Sequence, residues 1–250
     1  MSPVSLLVAV QFLTHLPTPA GLPVTGPALG RALGWFPVVG LVLGAMLAVA
    51  DAALSTILPR PIVDAGLLVL LAALTGGLHL DGFMDTCDGL FSMRPPADRL
   101  AIFRDSRVGS FGVVGAATLL LTQWAALGAL PAASRAAMLL TTLALARWAM
   151  VYAIVAFPYG RPEGLGRRFK EQAGGRALLG ATIVAAVAAA VLLGLPGLAA
   201  LALAAAATWL FARYCLGRLP GLTGDTYGAL DELVETLLLV AFPVLWRWLG

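Results

Sequence analysis

Seven long apolar runs separated by short connectors dominate this chain, and they restrict it to a helical protein embedded in lipid. The runs are Trp35–Leu58, Ile62–Leu80, Phe111–Leu130, Ala136–Phe157, Ala177–Leu195, Gly197–Tyr214 and Leu233–Leu249. Each approaches the ~20 residues that a helix needs to cross a bilayer. Inside hydrocarbon the backbone has to satisfy its own hydrogen bonds, and for runs of this length only a helix does so. Composition agrees: 60% of the 250 residues are hydrophobic and only 12% are charged, against about 25% in a soluble domain. The expected fold is all-α, a polytopic integral membrane protein with about seven transmembrane helices forming one catalytic domain over residues 1–250. The opening stretch Val4–Leu16 is apolar but short, and "HLPTPAGLP" breaks it with three prolines. It is expected to be a re-entrant or interfacial helix.

Other classes drop out. Cys87 and Cys215 are far apart and lack CxxC spacing, so neither a zinc site nor a disulfide framework is expected. No basic n-region with a cleavage site opens the chain, so no cleaved signal peptide is expected. A net charge of +3 is too small to imply nucleic acid.

The basic residues give an orientation. Twelve of the sixteen fall in one set of loops: Arg31, then Arg94 to Arg107, then Arg161 to Arg176, then Arg213 and Arg218. Arg60, Arg135 and Arg247 lie on the other side, and Arg147 lies inside a run. The twelve-residue side is expected to face the cytoplasm of a cytoplasmic (inner) membrane. By the same boundaries it holds eleven of the thirteen carboxylates, all but Asp51 and Asp64. The chemistry is expected on that face. Whether Asp51 and Arg147 pair or snorkel stays open.

Three polar groups stand out. In "GGLHLDGFMDTCDGLF" (76–91), Asp81, Asp85 and Asp88 are spaced i, i+4, i+7, which places them within roughly 60° on a helix. Like charges that close raise one another's pKa, and a divalent cation relieves the repulsion. Oxygen ligands in that pattern suit Mg²⁺ or Mn²⁺. The alternative is a solvated helix end paired with Arg94, Arg99 and Arg104. His79 falls on roughly the opposite face, where a core hydrogen bond competes with metal ligation.

In "FRDSRVGSFG" (103–112), Arg104 and Arg107 offer guanidinium forks for phosphate, beside Asp105, Ser106 and Ser110. Gly109 and Ser110 would cap the next helix and turn backbone N–H groups toward an anion. A plain basic membrane anchor is the competing reading. In "GLTGDTYGALDELVE" (221–235), Asp225 lies between Thr223 and Thr226, followed by Asp231, Glu232 and Glu235. A helix cap with a solvated face explains that block as well as a site does. The loop "YGRPEGLGRRFKEQAGGR" (159–176) either grips phosphate or merely sets topology.

These blocks, with "FLTHLPTP" and "WFPVVGLVLG" before them, resemble the signature blocks of the adenosylcobinamide-GDP ribazoletransferase (cobalamin synthase) family, in family order from Phe12 to Glu235. His15 and Arg104 depart from it, standing where Arg and Lys are usual. The resemblance implies a Mg²⁺-dependent membrane enzyme acting near the end of cobalamin biosynthesis. Its substrates would be adenosylcobinamide-GDP and α-ribazole or α-ribazole 5′-phosphate, giving adenosylcobalamin or its 5′-phosphate plus GMP. Asp81, Asp85 and Asp88 would hold one or two Mg²⁺ ions across the diphosphate. Asp88 or Asp225 would accept the hydroxyl proton, and Arg104 and Arg107 would stabilise phosphate charge.

Two rival readings are a CDP-alcohol phosphotransferase, whose DGxxAR spacing is absent after Asp88-Gly89, and a cation transporter. The lower base and the oligomeric state, including a homo-oligomer, are left open.

Overall fold

The computed structural model describes residues 2–22, 24–92, 95, 99–100, 103 and 107–250. Among these residues the chain forms α1 (Pro3–Leu13), α2 (Gly26–Ala32), α3 (Phe36–Leu54), α4 (Arg60–Thr75), α5 (Leu78–Phe91) and α6 (Ser110–Ala129). It continues with α7 (Arg135–Ala156), α8 (Leu165–Gln172), α9 (Gly175–Leu193), α10 (Leu195–Leu216) and α11 (Gly224–Leu249). Among the described residues five spans are long and apolar enough to cross a membrane, Gly26–Leu54, α6, α7, α9 and α10, and α4 with α5 passes the same test together as a bent pair, a broken span or a re-entrant loop. At 11 residues, α1 is too short to do so.

Two expected spans come out differently. Ile62–Leu80 is not one rod. Gly76 and Gly77 both adopt left-handed φ, +64° and +67°, which ends α4 and starts α5 at a bend of 93°. Only glycine takes two such residues in succession without strain. The second, Leu233–Leu249, is the back of the 26-residue α11, and α11 is not among the five apolar spans. Its first half carries Asp225, Asp231, Glu232 and Glu235.

The centre of the bundle is α7, which is buried on almost every face. α3 lies along it through Gly40 and Gly44, where a Cβ at Gly44 would stand 2.6 Å from the Leu140 Cα. Small residues at this spacing let two backbones meet where lipid supplies no hydrophobic drive. α9 and α10 pack through Ala181, Ala185, Ala200 and Ala204, all fully buried, and leave Ile183, Val187 and Leu210 exposed on their outer faces. α11 packs against α5, α7 and α10, and α5 against α6. That arrangement gathers the acidic blocks around α5 and α11.

The charges inside the runs find partners. Asp51 and Asp64 pair with Arg60 and Arg135 where α3, α4 and α7 end, with Arg60 2.8 Å from Asp64 and Arg135 Nε donating to Asp51 at 3.0 Å. Arg147, 1% exposed on α7, pairs with Asp231 at 3.1 Å and with Glu235. Asp231 also lies 2.8 Å from His79 Nδ1 on α5. The far half of the 221–235 block is therefore a buried ionic network, not a solvated helix face.

Candidate active site

Helix α5 presents its three aspartates at graded depth: Asp81 is exposed, Asp85 half-buried and Asp88 buried. The face predicted from their spacing exists, but the three side chains do not share one point. Asp88 turns toward α6. Its Oδ2 accepts the Gly109 N–H at 2.8 Å and its Oδ1 the Gly112 N–H at 2.9 Å. Gly109 is the N-cap of α6, which has no local side-chain cap, so Asp88 supplies one from a neighbouring helix. A carboxylate there satisfies orphan N–H groups and meets the positive end of the helix dipole. The anion that the 109–112 backbone addresses is thus a residue of the protein itself. The approach needs glycine, since a Cβ on either Gly109 or Gly112 would strike the Asp88 carboxylate.

Losing this cap has a defined cost. Asp88→Ala is expected to destabilise the protein by about 1–3 kcal/mol, the range for orphaning buried hydrogen-bonding groups. The thermal midpoint in detergent, compared with that of Asp85→Asn, checks it; equal midpoints would deny Asp88 this structural role.

Asp225 joins the α5 face in its place. It stands in the first turn of α11, whose capping box is Thr223 and Thr226: Thr226 N donates to Thr223 Oγ1 at 3.3 Å, and Thr223 N to Thr226 Oγ1 at 2.7 Å. Both threonines are fully buried, so their hydroxyls build the cap and do not face a substrate. Thr223 Oγ1 lies 3.2 Å from Asp225 Oδ2 and orients that carboxylate. α5 approaches at Gly82, where a Cβ would stand 2.8 Å from the Asp225 carbonyl oxygen.

Among the described residues the cation at the site is Arg161, in the loop for which phosphate binding and a mere topological role both stand open on sequence. Its Nη2 donates to Asp225 Oδ2 at 2.6 Å and to the Phe103 carbonyl at 3.3 Å. The loop is fixed by a short parallel bridge, in which Gly160 N donates to Leu222 O at 2.8 Å and Leu222 N to Pro158 O at 2.9 Å. Tyr159 stacks on Tyr227 at a centroid distance of 6.2 Å. A signal for this residue was available: Tyr159-Gly160-Arg161 opens the basic loop directly after the α7 span. What the sequence does not show is that Gly160 meets Gly221 and so delivers the arginine to Asp225.

Arg104, Asp105 and Ser106 lie outside the described residues. Arg107 and Ser110 are exposed, Ser110 at the first position of α6.

Asp81, Asp225, Arg161 and Tyr159 line a cavity of about 240 Å³ that continues over Gly164–Gly166 to Phe12 and Phe169. Burial and then the charges of Asp81, Asp225 and Asp88 push the Asp85 carboxyl up to about 6, against the opposing effect of Arg161. Burial likewise raises Asp225, with Arg161 opposing it. Both groups lie outside the five spans. Among the described residues no three His, Cys, Asp or Glu side chains converge as a ready metal cage. The donor chemistry still fits Mg²⁺, which is usually bound by one or two carboxylates, with waters and substrate phosphate completing the shell. Asp81 and Asp85, i, i+4 on one helix face beside Asp225, offer that partial set of hard oxygen ligands.

Fold and site together define a class: a multi-helix membrane protein whose pocket, among the described residues, sets two carboxylates against an arginine, suited to a cationic metal and a phosphate. Residues 5–243 match the family model described as cobalamin-5-phosphate synthase, and the chain belongs to that family. A protein of Desulforamulus reducens named adenosylcobinamide-GDP ribazoletransferase is 42% identical over 93% of each chain. Proteins of the same name from Geotalea daltonii and Desulfitobacterium hafniense are each 39% identical, over 93% and 96% of this chain and 94% and 97% of their own. No solved structure matches.

Proposed function

We propose that this protein is a Mg²⁺-dependent adenosylcobinamide-GDP ribazoletransferase of the cytoplasmic membrane, with its acidic pocket facing the cytoplasm. The observation that carries the reading is that Asp81 and Asp225 line one cavity with Arg161, and that Asp85, one helical turn after Asp81, feels the charge of both, within a chain that matches the family over nearly its whole length. The same full-length match sets aside the CDP-alcohol phosphotransferase and transporter readings. Orientation rests on the arginine-rich loops, which include Arg161.

In this reaction a ribose hydroxyl of α-ribazole, or of its 5′-phosphate, attacks the phosphorus carried by the cobinamide arm. A new P–O bond forms, the P–O bond to GMP breaks, and the hydroxyl proton passes to a carboxylate. Mg²⁺ held by Asp81 and Asp85 would supply neutralisation of diphosphate charge. Arg161 can turn one guanidinium edge to phosphate while the other stays on Asp225, so it both orients the donor and balances its charge. Asp225 is the better placed of the two proton acceptors expected from sequence: it lines the cavity and burial raises its basicity, whereas Asp88 is occupied by two N–H donors. Transfer of this kind depends mainly on positioning and charge, and a half-buried arginine–carboxylate pair, held by the α11 cap and the bridged 158–160 loop, supplies both.

The purified protein, given adenosylcobinamide-GDP and α-ribazole 5′-phosphate with Mg²⁺, is expected to release GMP and form the joined product, and chelation by EDTA is expected to stop it. Full turnover in EDTA would contradict the metal dependence, and absence of GMP with Mg²⁺ would contradict the reaction.

A further inference from the structure

The acidic cavity has a neighbour. A second cavity of about 360 Å³ adjoins it, and Phe12, Leu78, Leu165 and Phe169 line both. The four shared side chains set the two cavities side by side, and read as one groove they have two chemically different ends. Asp81, Asp225 and Arg161 mark the first end; at the second none of the described lining residues is charged, and Gln11, exposed at the edge of α1, is the polar one among them. The floor is rigid: Val8, Leu29 and Phe169 are buried to 2% exposure or less, and the Phe12 and Phe169 rings lie 4.7 Å apart with Phe36 packed on both. Val24 and Leu165 form the rim, 40% and 42% exposed.

An occupant of the whole groove needs a charged or hydroxyl-rich head and a compact apolar tail. Guanine does not suit the tail end, because its polar edge atoms would be desolvated against apolar walls without partners. A corrin ring with its rim of amides is several times too large for such a cavity. A flat bicyclic base with little polar edge fits the shape and the aromatic lining.

We propose that the groove formed by α1, α2 and α8 holds the planar heteroaromatic base of the ribazole acceptor, with Gln11 donating to its bare ring nitrogen. This rests on the reaction proposed above and adds the acceptor's seat to it. The ribose then lies toward Asp225, where its hydroxyl meets the donor phosphorus. The short N-terminal helix becomes part of the substrate site, and its contacts select the lower base.

The test uses the full-length protein in detergent, with steady-state kinetics and equilibrium dialysis of α-ribazole. Val24→Trp fills the groove from its exposed rim. It is expected to raise the KM and Kd for α-ribazole about tenfold or more, the scale of excluding two or so buried methyl groups. The KM for adenosylcobinamide-GDP should stay within about twofold, since that donor makes its contacts at the other end. Gln11→Leu should weaken α-ribazole about fivefold, the worth of one hydrogen bond, yet leave an indole nucleoside that lacks the ring nitrogen unaffected. Turnover with an unchanged KM for α-ribazole in Val24→Trp would overturn the groove assignment and leave the reaction standing. So would an equal rise in both KM values, or loss of a copurifying phospholipid as the only change. Wild-type protein that binds α-ribazole, loses that binding in Val24→Trp and never releases GMP would overturn the reaction and leave the groove standing.

Discussion

Asp85→Asn is expected to lower turnover by about a thousandfold or more, the scale of several kcal/mol of charge stabilisation at a metal-assisted phosphoryl centre, while the protein still inserts and folds. Asp85 is half-buried among Asp81, Asp225 and Asp88, so amidation removes a mutual repulsion and should not loosen the bundle. The loss is therefore expected in kcat with an unaltered thermal midpoint. Glu171→Gln serves as the control: Glu171 is exposed and pairs with Arg167 one helical turn away at 2.7 Å, an interaction of little energetic weight. Near-wild-type turnover in Asp85→Asn would remove the acidic face from the mechanism. Equal losses in both variants would point to general damage instead.

Arg147→Met is expected to have the opposite signature, a large loss of stability. Arg147 on α7 pairs with Asp231 and Glu235 of α11, and Asp231 in turn holds His79 of α5. All four side chains are 3% exposed or less. Removing the arginine leaves Glu235 unpaired in the core and Asp231 with His79 alone, which costs about 3–5 kcal/mol. The double variant Arg147→Met/Glu235→Met should regain part of the loss, because one orphaned carboxylate goes with the arginine and Asp231 keeps His79. Thermal midpoints of the two single variants and the double variant measure this coupling. A single variant as stable as wild type would show that the network carries no structural weight.

Periodicity and hydropathy made much of this architecture legible. The runs at Phe111–Leu130, Ala136–Phe157, Ala177–Leu195 and Gly197–Tyr214 lie within a few residues of α6, α7, α9 and α10. The spacing of Asp81, Asp85 and Asp88 correctly places them on one helix. Hydropathy finds the apolar stretch at Ile62–Leu80 but misses its bend, because a sum over apolar residues does not register two adjacent left-handed glycines, although Gly76-Gly77 is itself a stop signal. It misleads at Leu233–Leu249, where the apolar tail belongs to a helix that starts at a threonine cap ten residues earlier.

The site divides in the same way. Residue type and local spacing identify Asp81, Asp85 and Asp225 as candidates, but which of them meet is decided by contacts between distant segments. Asp88 looks equivalent to its two neighbours in the sequence, yet one further helical step carries it under α6, where Gly109 and Gly112 leave room for its carboxylate. Thr223 and Thr226 look like ligands beside an aspartate, but their spacing of three is that of a capping box. Arg161 reaches Asp225 across 64 residues of sequence through the backbone bridge between 158–160 and 222. For Asp231 and Glu235 the sequence leaves a solvated face and a site equally open, since nothing local announces that Arg147 of α7 faces them.

Titration of the purified protein with Mn²⁺, followed by electron paramagnetic resonance of the free ion, tests the acidic pocket without any need for turnover. Wild-type and Glu171→Gln protein are expected to bind the ion alike, and Asp85→Asn is expected to bind it at least about tenfold more weakly, the scale of losing one charged ligand. Mn²⁺ binding in Asp85→Asn equal to that of the wild type would contradict a metal seated on α5 and, with it, the assignment of this pocket as the catalytic centre.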